Sequence, residues 1–174
     1  MNELRKIVVS NSTPLIYLSK VGRLNIIKDV FGKIFIPEAV FNEAVVQGKM
    51  LKISDAFIIE KAVGDWILRE QVKPEISAEF SFLDTNTKLG PGEKEALKLC
   101  KQLNAEFFIV DDREARRVSK ILRITPVGTF GVIIQAFRQN SITKNEALKT
   151  LDDLIKAGLR IDSTLYRMMI EKLE

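Results

Sequence analysis

The chain has 174 residues, 46% of them hydrophobic and 29% charged, with a net charge of +4. That length allows one domain, or one domain with an appendage. No apolar run approaches the roughly 18 residues of a membrane span, and MNELRKIVVSNSTPL has no signal-peptide core, so a cytoplasmic protein with no membrane partner is expected. The absence of histidine and the single cysteine, Cys100, exclude Ser-His-Asp and Cys-His nucleophiles, imidazole ligands and an internal disulfide.

Lys6–Ser10 (KIVVS) reads as a first strand, followed by Asn11-Ser12-Thr13-Pro14, where Thr13 suits an N-cap and Pro14 a first helical turn. Leu15 to Val21 carry helical spacing, Gly22 interrupts it, and Leu24 to Phe31 give a second short helix that Gly32 stops. Lys33–Ile36 is a second strand, and Pro37 opens a helix ending at Gly48. Residues 51–63 are an amphipathic helix, with Ser54 as a local cap. Trp66–Val72 is a third strand, with a short helix near Ile76–Leu83. Gly90-Pro91-Gly92 marks a loop opening the helix Glu93–Leu103. Glu106–Val110 is a fourth strand with the content of one buried on both faces, and a basic helix runs from it to Leu122. Ile124–Val127 is the fifth strand, and Thr129 caps a helix to about Phe137. Two amphipathic helices close the chain, one capped by Thr143 and ended by Gly158, the other capped by Asp162 or Ser163. Alternating strands and helices imply a parallel sheet with helices on both faces.

Without histidine, any chemistry rests on carboxylates, Lys or Tyr, and a metal held by carboxylates and Asn would be a hard cation, Mg²⁺ or Mn²⁺. Asp111 and Asp112 stand where the fourth strand runs out, the strand end at which open α/β sheets gather ligand chemistry. An Asp pair there also caps the next helix and complements its dipole. Glu43 lies three or four residues from Ala39, Val40 and Val46, on or beside the apolar face of its helix. Glu93 leads the row Glu93, Leu97, Cys100 and also begins on a buried face. Burying unpaired carboxylates costs several kcal/mol, so a divalent cation would reconcile acids that converge. The bland readings are an edge-of-face Glu43 paired with a lysine, and a first-turn Glu93 favoured by the helix dipole. Cys100, Trp66 and the phenylalanines read as core.

Residues 98–140 hold 8 Lys/Arg against 4 Asp/Glu, which is the whole basic excess of the chain. Arg113, Arg116, Arg117 and Lys120 follow the acids directly, as a surface meeting a polyanion would require. A solvated helix face, with Arg116 paired to Asp112, is the alternative.

The stretches SNSTPLIYLSKVGRL, IPEAVFNEAV, GPGEKEALKL, VDDREARR and PVGTFGVIIQA together resemble the successive motifs of the PIN-domain proteins, closest to the branch known as domain of unknown function 3368. The resemblance runs from about Ile7 to Ser141, and less clearly through the two tail helices. It implies a three-layer α/β/α sandwich on a mostly parallel sheet of about five strands over residues 1–141, with residues 142–174 as a helical extension packed on the domain or at an interface. It further implies a ribonuclease whose acidic quartet binds Mg²⁺ or Mn²⁺, often the toxin of a toxin–antitoxin pair, with RNA, an antitoxin protein and a second copy of the chain as partners. Carried onto this sequence, the catalytic positions are Asn11, Glu43, Glu93 and Asp112. The metal positions are Asn11, Glu93, Asp111 and Asp112, with Asp112 favoured over Asp111. Arg113, Arg116, Arg117, Lys120, Thr13 and Thr129 are the candidates for RNA contact.

One departure matters: Asn11 stands where the family has its first acid. A neutral carbonyl oxygen replaces a charged ligand, so metal affinity should fall, and a catalytically weak or inactive RNA- or partner-binding protein becomes the second expectation. A phosphatase or flap-type DNA nuclease is compatible with the same acids. The expected homodimer draws on the tail stripes (Leu148, Leu151, Ile155, then Leu165, Met168, Met169) or on the helix near Ile53–Ala62.

Overall fold

Short apolar runs, each flanked by a helix-starting or helix-ending signal, make the sheet. The computed structural model describes residues 6–86 and 88–173. Strands β1 (Val8–Ser10), β2 (Ile34–Ile36), β3 (Ile67–Arg69), β4 (Phe107–Ile109) and β5 (Thr125–Val127) pair in the order β3-β2-β1-β4-β5, every pair parallel. Val8, Val9, Ile34, Ile36, Ile67, Phe108 and Ile109 are fully buried, as expected of a sheet covered on both faces. Truncating Phe108, the fully buried middle residue of β4, to Ala should cost about 3–5 kcal/mol.

The covering helices are α1 (Ser12–Lys20), α2 (Asn25–Phe31), α3 (Glu38–Phe41), α4 (Gln47–Met50), α5 (Ser54–Ala62), α6 (Pro74–Glu79), α7 (Pro91–Leu103), α8 (Arg113–Ile121) and α9 (Thr129–Arg138). The tail contributes α10 (Lys144–Lys156) and α11 (Ser163–Lys172), both packed on α9. The sandwich is therefore α/β/α. Thr143 and Glu146 form a reciprocal capping box at the start of α10, worth about 1 kcal/mol. Ala147, Leu151, Leu154, Met169 and Leu173 join the same hydrophobic core as the sheet. Leu165, Met168 and Ile155 stay exposed on the tail, as do Phe57 and Ile58 on α5.

Local differences from the sequence expectation have physical causes. The helix after Pro37 does not end at Gly48. It continues to Met50 through a π turn at Asn42–Val46, and Lys52 in the left-handed region (φ 56°) ends it. Gly48 is there for packing, since an added Cβ would lie 2.7 Å from the Cβ of Ala56. Thr13 is not a cap: Asn11 holds the extended N-cap position of α1, without a side-chain capping bond. Nor does Thr129 cap α9; Gly128 is the N-cap, which releases the Thr129 hydroxyl for another partner. The third strand is only Ile67–Arg69, and the stretch after Lys73 divides into α6 and a 3₁₀ turn at Ser81–Leu83.

The strand order places a topological switch between β1 and β4. From β1 the chain winds outward through β2 and β3, then returns to β4 and winds the other way. At such a point the connections leave in opposite directions and open a crevice at the carboxyl ends of the strands. Asn11 follows β1, and Asp111 and Asp112 follow β4, so the sheet delivers all three to the carboxyl ends of these strands.

Candidate functional site

Asn11 is anchored first by its backbone, its N–H donating to the Ile109 carbonyl at 2.9 Å. Its side chain is buried, and Nδ2 donates to Glu93 Oε1 at 3.0 Å. The remaining amide oxygen, Oδ1, is buried without a hydrogen-bond partner among the described residues. An unpaired buried acceptor typically costs about 1–3 kcal/mol, so this atom marks a place where something more than the polypeptide belongs.

Glu43 is held from two sides. Ser12 Oγ donates to its Oε2 at 2.7 Å, and the Gly92 amide donates to Oε1 at 3.0 Å. The π turn carries Glu43 to this position; such turns recur at functional sites because they re-aim one side chain without ending the helix. Gly92 must lack a side chain, because a Cβ there would lie 2.5 to 2.8 Å from the Glu43 carboxylate atoms. Glu93 sits in the first turn of α7, where the helix dipole favours a carboxylate. Glu95, two residues further on, accepts from the Ala39 amide at 2.6 Å and ties α7 to α3. Asn11, Glu43 and Glu93 are thus brought together through Ser12 and Gly92.

The two aspartates part company. Asp112 is the N-cap of α8, exposed, its Oδ1 accepting from the Ala115 amide at 2.8 Å. Asp111 turns toward the β5–α9 junction, where the Thr129 amide donates to Oδ1 at 2.8 Å and the Thr129 hydroxyl to Oδ2 at 2.6 Å. Burial pushes the Asp111 pKa above the ordinary value; the two Thr129 bonds and nearby Arg116 oppose that rise. No hydrogen bond among the described residues links either aspartate to Asn11, Glu43 or Glu93.

The basic residues also divide. Arg116 does not pair with Asp112; its Nη1 donates to the Val110 carbonyl at 3.1 Å. Arg117 binds Glu114 through Nε (2.9 Å) and Nη2 (2.7 Å). Those bonds, with one from Asn86, hold the Glu114 carboxyl down at about 2 and raise the Arg117 guanidinium. Arg113 and Lys120 are exposed, and Thr13 is half-buried in the first turn of α1.

Ser12 and Gly92 were not among the sequence candidates. A hydroxyl directly after Asn11, and a glycine directly before Glu93, were the available signals.

The donor set suits a hard cation by type. It consists of oxygens only, with the unpartnered Asn11 Oδ1 beside the Glu93 carboxylate. It is lean in charge: among the described residues no three His, Cys, Asp or Glu side chains group at metal-binding spacing.

A five-stranded, all-parallel sheet covered by helices on both faces defines the class, an α/β/α sandwich. The family model described as DUF3368, PIN domain, matches residues 7–174, tail helices included, and the chain belongs to that PIN-domain family. No curated protein matches it in sequence. Among solved structures it is similar to the crystal structure of Mycobacterium tuberculosis VapC20, a sarcin-ricin loop cleaving toxin, at 10% identity and a TM-score of 0.49, over 64% of this chain and 94% of that one.

Proposed function

We propose that this protein is a PIN-type ribonuclease whose activity depends on Mg²⁺ or Mn²⁺. The observation that carries the reading is the buried, unpartnered Oδ1 of Asn11 next to Glu93 at the switch point of the sheet. Asn11 and Glu93 would hold the cation. When bound, it would supply a hard Lewis acid for the scissile phosphate and acidify a water molecule. Glu43, fixed by Ser12 and Gly92, the chain neighbours of Asn11 and Glu93, would orient that water or accept its proton. Asp111 supports the neighbouring wall through Thr129.

A labelled single-stranded RNA incubated with Mn²⁺ tests this. Cleavage should stop with chelator, and Glu93→Gln should lower it about 100-fold or more. Cleavage that persists through both changes would defeat the assignment.

A second reading, a non-catalytic PIN protein, is favoured by a different observation. Glu43, Glu93, Asp111 and Asp112 each already accept a hydrogen bond from an uncharged group of the chain. That reading predicts an inert wild type whose Asn11→Asp variant cleaves.

A further inference from the structure

On the far side of Asp111 the sheet ends, and a cleft of about 490 Å³ opens between β5, α9 and α11. Arg116, Arg138, Arg160 and Lys172 line it, and among the described residues Asp111 is the only carboxylate that does. Asp111, whose oxygens accept from Thr129, lies beside Arg116 and offsets its charge, which leaves Arg138, Arg160 and Lys172 unmatched. Among the described residues none of the four forms an ion pair. Arg138, Arg160 and Lys172 are also exposed. Three separate elements (α9, the segment before α11, and α11 itself) therefore bring uncompensated positive charge to one concave surface, which calls for an extended anion.

Two features identify the anion. The cleft shares Asp111 and Arg116 with the carboxyl edge of the sheet, so a chain lying across the acid pocket would continue into it. The wall on its inner side is β5, the sheet's edge strand, where Thr125 and Val127 are turned to β4 and the residue between them is Pro126. Proline offers no N–H, so a peptide cannot add to this edge as a further strand. We propose that this cleft is the track for the single-stranded RNA segment flanking the acid pocket, with Arg138, Arg160 and Lys172 contacting its phosphates and the tail helix α11 forming the outer wall. This rests on the reading of the protein as one that handles RNA, and it gives the tail a role in substrate binding.

Binding and cleavage are separable. Fluorescence anisotropy with a labelled oligoribonucleotide is measured on the full chain in chelator, over about 50 to 300 mM KCl, where counterion release contributes a salt slope of about 0.7 per phosphate contact. The triple variant Arg138→Gln, Arg160→Gln, Lys172→Gln should lower the slope by about 2 and weaken binding at least tenfold at about 100 mM salt. Arg167→Gln, an exposed change on α11 outside the cleft, should leave both unchanged. All substitutions are at exposed positions, and a circular dichroism melt checks that each variant is folded. An unchanged slope and affinity in the folded triple variant would overturn the proposal. So would displacement of nothing by RNA together with tight binding of a poly-glutamate peptide to the same cleft, which would assign it to an acidic protein segment instead. Binding that depends on the three residues, in a protein that never cleaves, would sustain the track while removing the nuclease reading.

Discussion

Replacing Asn11 by Asp is the most informative single change. The wild-type Nδ2 donates to Glu93 Oε1 at 3.0 Å; the substitution turns that bond into two carboxylate oxygens facing each other. At an effective dielectric of about 20 and this separation, two unit charges repel by about 5 kcal/mol. The pair can avoid this by taking up a proton. For a carboxyl of ordinary pKa, that costs about 4 kcal/mol at pH 7, and it is the cheaper route. With some relief from side-chain rotation, we expect the variant to lose about 2–4 kcal/mol in chelator at pH 7, a fall of roughly 10 °C in Tm for a chain of this size. The sign with pH follows. One carboxyl of the pair has a folded pKa raised above its unfolded value, so the deficit is absent below the unfolded pKa and grows as pH rises through the folded one. A bound divalent cation reverses the effect, because both carboxylates then become ligands, and Mn²⁺ should stabilise the variant more than the wild type. Thermal melts of both proteins from about pH 4 to 8, with chelator and with Mn²⁺, measure all three effects. A variant as stable as wild type in chelator at pH 7, with no response to pH or Mn²⁺, would refute the placement of Asn11 against Glu93.

Two further outcomes follow from the same geometry. Gly92→Ala puts a Cβ within 2.5 to 2.8 Å of a Glu43 carboxylate that Ser12 and the Gly92 amide hold in place; we expect a loss of about 1–3 kcal/mol by chemical denaturation, and wild-type stability would show that Glu43 is free to move. Asp111→Asn removes a carboxyl whose pKa burial has raised; a raised folded pKa means stability is complete below the unfolded value and is lost as pH climbs through the folded one, so the variant should gain on wild type as pH increases, and a difference in unfolding free energy that is flat with pH would contradict it.

Much of the site can be read from helical spacing, and the limits are specific. Glu43 and Glu93 are visible because a carboxylate at three- or four-residue intervals from apolar neighbours must face inward. Their holders are not visible: Ser12 meets Glu43 across 31 positions and Gly92 meets it across 49, and no local pattern encodes such pairings. Asp111 and Asp112 are chemically identical in sequence, and only the path of the backbone decides which caps α8 and which reaches Thr129. The same ambiguity affects Gly128-Thr129, where either residue can cap a helix, and Asn11-Ser12-Thr13, which offers three cap-competent side chains in a row. The π turn leaves no compositional trace, so the helix from Glu38 to Met50 reads as regular.

That turn has a mechanical meaning. Ahead of it α3 lies against α7; within and beyond it the helix lies against α5 and, at the turn, α1. A regular helix keeps a single angular phase of about 100° per residue from end to end, and one phase would have to serve both sets of neighbours. The widened turn resets it, as a splice between two shafts of different timing. The front half is free to keep step with the α7 contacts that frame Glu93, and the rear half with the packing of Gly48 on Ala56. A single-residue deletion inside Asn42–Val46 would make the helix more ideal while forcing both halves onto one clock.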